Sequence, residues 1–214
     1  MFGDNKTRRY TQEFKQACLG YTPAPGYFKQ TLTPALSHII GSLAAGYFGS
    51  AAKIDTLVEP VGTLDPLRRA LLAADILRGT GKLPETQRGQ GKTFLELVAF
   101  SGAQGAHDAA RHIIDQSYDR QQAEMLIPAL SAFWPYEPSP QKELERAQSH
   151  YLKGILMFKT GRSTARDFKE RLEQALSILS TVDPSQAVSA ARQAQVSQVK
   201  TQLEQMWHTT LEWY

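Results

Sequence analysis

The chain has 214 residues, 42% of them hydrophobic, with a formal net charge of +3 at pH 7 and a pI near 8.9. That length buries a core without a metal or a disulfide and makes one or two domains the expectation. So small a positive excess excludes a chain whose whole task is neutralising nucleic-acid phosphate, and the single cysteine, Cys18, excludes an intramolecular disulfide.

Apolar residues recur three and four apart through most of the sequence, and no segment alternates as a half-buried strand does. The fold class expected is therefore all-α, a multi-helix bundle of about eight or nine helices. The first helix is expected over Thr11 to Leu19, with Cys18 as a small buried hydrophobe, and Tyr21 to Gly26 as a proline-rich turn. Met1 to Gln16 mixes Lys6, Arg8, Arg9 and Lys15 with Asp4 and Glu13, the pattern of neither a signal peptide nor a transit peptide. A cytoplasmic location is expected.

Thr33-Pro34 caps a second helix carrying Leu36, Ile39, Ile40, Leu43, Tyr47 and Phe48. Residues 34–52 hold no Asp, Glu, Lys or Arg, so a buried helix is expected there, with membrane contact as the alternative. Asp65-Pro66 opens a third helix that ends at Gly79, with Leu67, Ala70, Leu71, Ala74 and Leu77 in one stripe.

Between Gly79 and Lys92 lies a polar, glycine-rich stretch in which Arg78, Lys82, Arg88 and Lys92 face only Glu85 in charge. These four residues are the candidate anion-binding or partner-binding cluster. Gly89-Gln90-Gly91-Lys92-Thr93 ends like a phosphate-binding loop, but Thr86 stands where its first glycine belongs and no hydrophobic strand precedes it. The apolar run Phe94 to Phe100 is expected as helix. Gly102 to Gly105 is expected to break the chain before another helix over His107 to Gln116. There Asp108, His112 and Asp115 share one helical face, an incomplete ligand set with no metal or other cofactor assigned to it. A helix follows Ser117-Tyr118-Asp119, with Pro128 expected to kink or restart it.

Trp134-Pro135-Tyr136-Glu137-Pro138-Ser139-Pro140 is the candidate hinge, dividing an amino-terminal subdomain, 1–134, from a carboxy-terminal one, 135–214, unless the two are continuous. Beyond it come a helix striped by Leu144, Ala147, Tyr151, Ile155 and Phe158 and ended by Gly161, and a capping box from Thr164 to Asp167 opening the next. A long last helix starts at Asp183-Pro184. The basic residues Lys153, Lys159, Arg162, Arg166, Lys169 and Arg171 read as a solvated surface. Trp207, Leu211, Trp213 and Tyr214 either close the bundle or anchor a partner.

The stretch from Ser139 to Thr181, with Tyr151, Gly154, Phe158, Gly161, Phe168 and Ala175, then Asp183-Pro184, resembles one degenerate tetratricopeptide hairpin followed by a long helix. The spacing between its helices departs from that family's pattern, and no second copy lies upstream, so an ordinary helical hairpin is the alternative. The resemblance implies a partner-binding scaffold and no catalysis. The function expected is thus a non-enzymatic helical adaptor or structural subunit bound to other proteins of a larger complex. The alternatives are a nucleic-acid-associated subunit using the basic clusters and an enzyme using the Gly89 to Thr93 loop.

Overall fold

The structure is a computed structural model describing residues 2–24, 26–48, 51–81, 89, 91–133, 141–186 and 190–212. Among these residues the fold is all-α: nine α-helices and no strand. In chain order they are α1 (Phe2–Leu19), α2 (Thr33–Ala44), α3 (Ala51–Gly62), α4 (Pro66–Thr80), α5 (Lys92–Asp115), α6 (Arg120–Ala129), α7 (Gln141–Lys159), α8 (Ala165–Ser180) and α9 (Ala190–Glu212). A π-helical turn, Phe28–Leu32, precedes α2, and a short 3₁₀ turn, Pro184–Gln186, precedes α9. The chain forms two compact units, Met1–Gly105 and Ala106–Tyr214, and the division falls inside α5. The expected hinge at 134–140 lies outside the described residues.

In the first unit α1 packs on α2 and α3, burying Phe14, Ala17 and Cys18 with Leu36, Ile39, Ile40, Leu57 and Val61. Phe94 of α5 meets Phe14 edge to face at 5.8 Å between ring centroids. The segment after α1 leaves backbone carbonyls without helical donors, and Arg68 supplies them, its Nη2 donating to Leu19 O at 3.1 Å and Tyr21 O at 2.7 Å. Tyr21 is itself buried and donates its hydroxyl to Asp75 Oδ2 at 2.6 Å.

The π-helical turn has a local cause. Pro34 has no N–H, and its ring would clash with the carbonyl four residues earlier in a regular α-helix. The wider turn relieves this, and Thr33 closes it by donating both its backbone N–H and its hydroxyl to Phe28 O, the latter at 2.8 Å. The Phe28 ring then lies against Gly79 of α4, where a Cβ would come within 2.6 Å of it.

Several boundaries differ from expectation. The first helix starts earlier, at Phe2. The second stops at Ala44, and Gly46, at φ 73°, turns the chain, so Tyr47 and Phe48 are not part of it. The uncharged stretch 34–52 is therefore not one helix, and no helix among the described residues is long and apolar enough to cross a membrane. The helix α3, unforeseen in the sequence, buries Leu57, Val58 and Val61 and holds Pro60 near its end.

Gly102 and Gly105 do not break the chain, because α5 runs through both. A Cβ at Gly105 would stand 2.8 Å from the carbonyl oxygen of Pro66 and 3.1 Å from the Arg69 side chain. Glycine there lets α4 and α5 approach closely, which a periodicity reading mistakes for a stop.

In the second unit α7 and α8 pack most extensively, with α6 and α9 against α7 and α9 also against α8. Phe158 stacks on Phe168 at 5.1 Å, and Gly154, one turn earlier in α7, faces Phe168 and Arg171, so the two helices run antiparallel. Gly161, at φ 71°, turns the chain just after α7 ends. The capping box opening α8 is formed as expected: Thr164 Oγ1 accepts from Asp167 N at 3.1 Å and Asp167 Oδ2 accepts from Thr164 N at 3.0 Å. The last helix begins later than Asp183-Pro184; its α-helical run starts at Ala190, after the 3₁₀ turn.

Candidate functional site

Three helices of the second unit leave a half-open pocket of about 100 Å³. It is lined by Arg111, Ile114 and Asp115 of α5, by Gln148, Tyr151, Leu152 and Ile155 of α7, and by Leu203 and Met206 of α9. These positions follow from helical period: 111, 114 and 115 share a face, as do 148, 151, 152 and 155, and 203 and 206. Leu152 and Leu203 are buried, whereas Met206 is 49% exposed, so the apolar lining reaches the surface.

The rim is charged in a particular way. Neither the Arg111 nor the Asp115 side chain takes part in an ion pair or hydrogen bond among the described residues, although they lie one helical turn apart. Tyr151, also in the lining, places its hydroxyl 3.4 Å from Thr210 Oγ1 and its ring 5.3 Å from that of Trp207.

Beside the pocket, α5 and α7 enclose a polar cluster. His107 Nε2 lies 3.2 Å from Ser149 Oγ, and Nδ1 lies 3.1 Å from Glu145 Oε2. This is the contact order of a nucleophile, a base and an orienting acid. Burial changes what it can do. It pushes His107 down to about 3, the charge of Arg111 lowers it further, and a hydrogen bond with Gln148 opposes both. Such a ring is neutral at pH 7 and a poor proton acceptor. Ser149 is 2% exposed, so no substrate reaches its hydroxyl in this conformation. The arrangement suits a hydrogen-bonded clamp between two helices.

In the first unit a broader polar cleft of about 370 Å³ opens between α1, the π-helical turn and α2, lined in part by Glu13, Gln16, Gln30, Thr31 and His38. Polar groups in and beside it engage one another: Arg9 Nε donates to Glu13 Oε1 at 2.8 Å, His38 Nδ1 lies 3.7 Å from Glu13 Oε2, and the His38 ring stacks on Tyr10 at 4.3 Å. The hydrogen bond from Arg9 holds the Glu13 carboxyl below its usual range.

The residues singled out by sequence are spread over both units. Of the basic cluster, Arg78 pairs with Asp75 at 2.8 Å and Lys92 lies 3.8 Å from Glu96; Lys82 and Arg88 lie outside the described residues. In the phosphate-loop-like stretch Gly91 is buried and Lys92 and Thr93 begin α5, while Gln90 is not described. The second basic group is mostly engaged: Arg162 pairs with Glu124 at 3.4 Å, Arg166 with Glu170 at 3.1 Å, and Lys159 Nζ donates to Ile114 O at 3.1 Å.

Asp108, His112 and Asp115 are exposed on α5, and no metal-holding group of three or more His, Cys, Asp or Glu is present among the described residues. Trp207, one of the proposed anchors, is fully enclosed and offers no surface in this conformation. The side chains of Leu211, Trp213 and Tyr214 lie outside the described residues. Cys18 is buried, and burial pushes its thiol up to about 12, far from a reactive thiolate.

Sequence reasoning missed the pocket and the clamp because both are tertiary. His107 and Ser149 stand 42 positions apart. The signal available was the stripe of α7, in which Gln148 and Ser149 interrupt a run of apolar positions. No protein-family model, curated protein or solved structure matches the chain.

Proposed function

We propose that the chain is a non-enzymatic helical adaptor or structural subunit that works in the cytoplasm inside a larger protein assembly. The single observation carrying this reading is the pocket between α5, α7 and α9, whose aliphatic lining reaches the surface at Met206. A pocket of about 100 Å³ is somewhat smaller than a cavity of roughly 150 Å³ that admits benzene, so it takes one aliphatic side chain. Helical proteins commonly receive partners this way, with an apolar anchor seated among helices and polar groups at the rim. The antiparallel α7–α8 hairpin, with its likeness in sequence to a tetratricopeptide hairpin, supports the same reading.

The test is selection against the full chain from two random peptide display libraries, one presenting internal sequences and one presenting free carboxy termini, each counter-screened with Met206→Trp. Met206 is half exposed, so the indole fills the pocket mouth without disturbing the core. Enriched sequences sharing one apolar anchor and losing binding to the variant are the expected result. Binders indifferent to the variant, or none, would exclude this pocket as the docking site.

A further inference from the structure

We infer that the pocket captures the carboxy-terminal residue of a partner protein, seating an aliphatic side chain inside and the terminal carboxylate on Arg111. This rests on the reading of the pocket as a receiver of partner side chains and adds the chemistry of what it receives.

The rim carries the inference. Arg111 and Asp115 are neighbours on α5, with Cβ atoms about 5–6 Å apart as for any such helical pair, yet among the described residues their charged groups form no ion pair. Both line a pocket whose remaining walls are largely apolar: Ile114, Leu152, Ile155, Leu203 and Met206. An occupant that covers this mouth removes water from both charges, and a buried charge without a partner is costly.

The backbone of an internal segment supplies neutral amides only, so it brings an anion to Arg111 only where an Asp or Glu side chain lies beside the anchor. A chain terminus meets both demands from one residue: its carboxylate accepts from the guanidinium, and its own amide N–H donates to Asp115. The side chain between them points inward. Guanidinium and carboxylate match in planar, two-bond geometry, which adds direction to the charge attraction. The volume of about 100 Å³ selects leucine, isoleucine or valine over tryptophan.

The experiment titrates the full chain with hexapeptides ending in leucine, each as the free acid and as the carboxy-terminal amide, and with N-acetyl-L-leucine as a small-molecule control. Free acids are expected to bind about tenfold or more tightly than amides, the worth of a charge-assisted hydrogen bond. Arg111→Ala, a surface substitution, is expected to erase that difference, Asp115→Asn to weaken both forms, and Met206→Trp to abolish binding.

Equal binding of acid and amide, lost in Met206→Trp, would overturn this inference and leave the pocket as a receiver of internal segments. Binding by no peptide would overturn it too, and binders from the internal-sequence selection would then show whether the pocket reading survives. N-acetyl-L-leucine binding as tightly as the peptides would assign the site to a free carboxylic acid and remove the partner protein.

Discussion

His107 shows how one enclosed side chain makes stability depend on pH. In the unfolded chain it titrates near 6.5; in the folded chain burial holds it to about 3. Between those values the unfolded state binds more protons, so stability falls as pH falls below about 6.5, by up to about 1.4 kcal/mol per unit from this group. His150, lowered first by burial and then by Arg146, adds in the same direction. Urea midpoints measured from pH 7 to pH 5 are expected to decline, and less steeply in His107→Gln. A flat profile over that range would contradict a neutral buried ring. Trp207 carries a second prediction at this scale. Fully enclosed and packed on Tyr151, it should cost about 3–5 kcal/mol as Trp207→Ala, read as a large loss of thermal stability. A variant as stable as the parent would instead place Trp207 on the surface, as a partner anchor.

At the scale of elements, glycines separate by what lies around them. Gly105→Ala drives a Cβ to 2.8 Å from backbone, so it should destabilise by about 1–3 kcal/mol although alanine is the better helix former. Gly41→Ala meets nothing within 4 Å on α2 and should stabilise by up to about 1 kcal/mol. Thermal unfolding of both variants checks the contrast, and equal shifts would refute the close approach of α4 and α5. The same contrast explains what was legible in sequence. Helix starts with a side-chain cap were readable, since Asp65, Asp119 and Thr164 each accept from a backbone N–H three residues on. Glycine roles were not, because a packing glycine and a terminating one look alike without the neighbouring helix. The helix α3 escaped notice because Pro60 and the preceding uncharged run masked its stripe of Ile54, Leu57, Val58 and Val61.

For the molecule as a whole, composition and period pointed to helices packed on helices, while the site had to wait for tertiary structure. Asp115 stood out in sequence as a possible ligand on one helix face; its setting is instead the rim of a pocket completed by α7 and α9. The central claim is that this pocket receives an apolar side chain, and methyl-resolved NMR of the chain titrated with leucine-ending hexapeptides tests it most directly. The account predicts shifts centred on the methyl groups of Ile114, Leu152, Ile155, Leu203 and Met206, absent in Met206→Trp. Shifts centred elsewhere, or none up to about 10 mM peptide, an affinity too weak to serve an assembly, would contradict it.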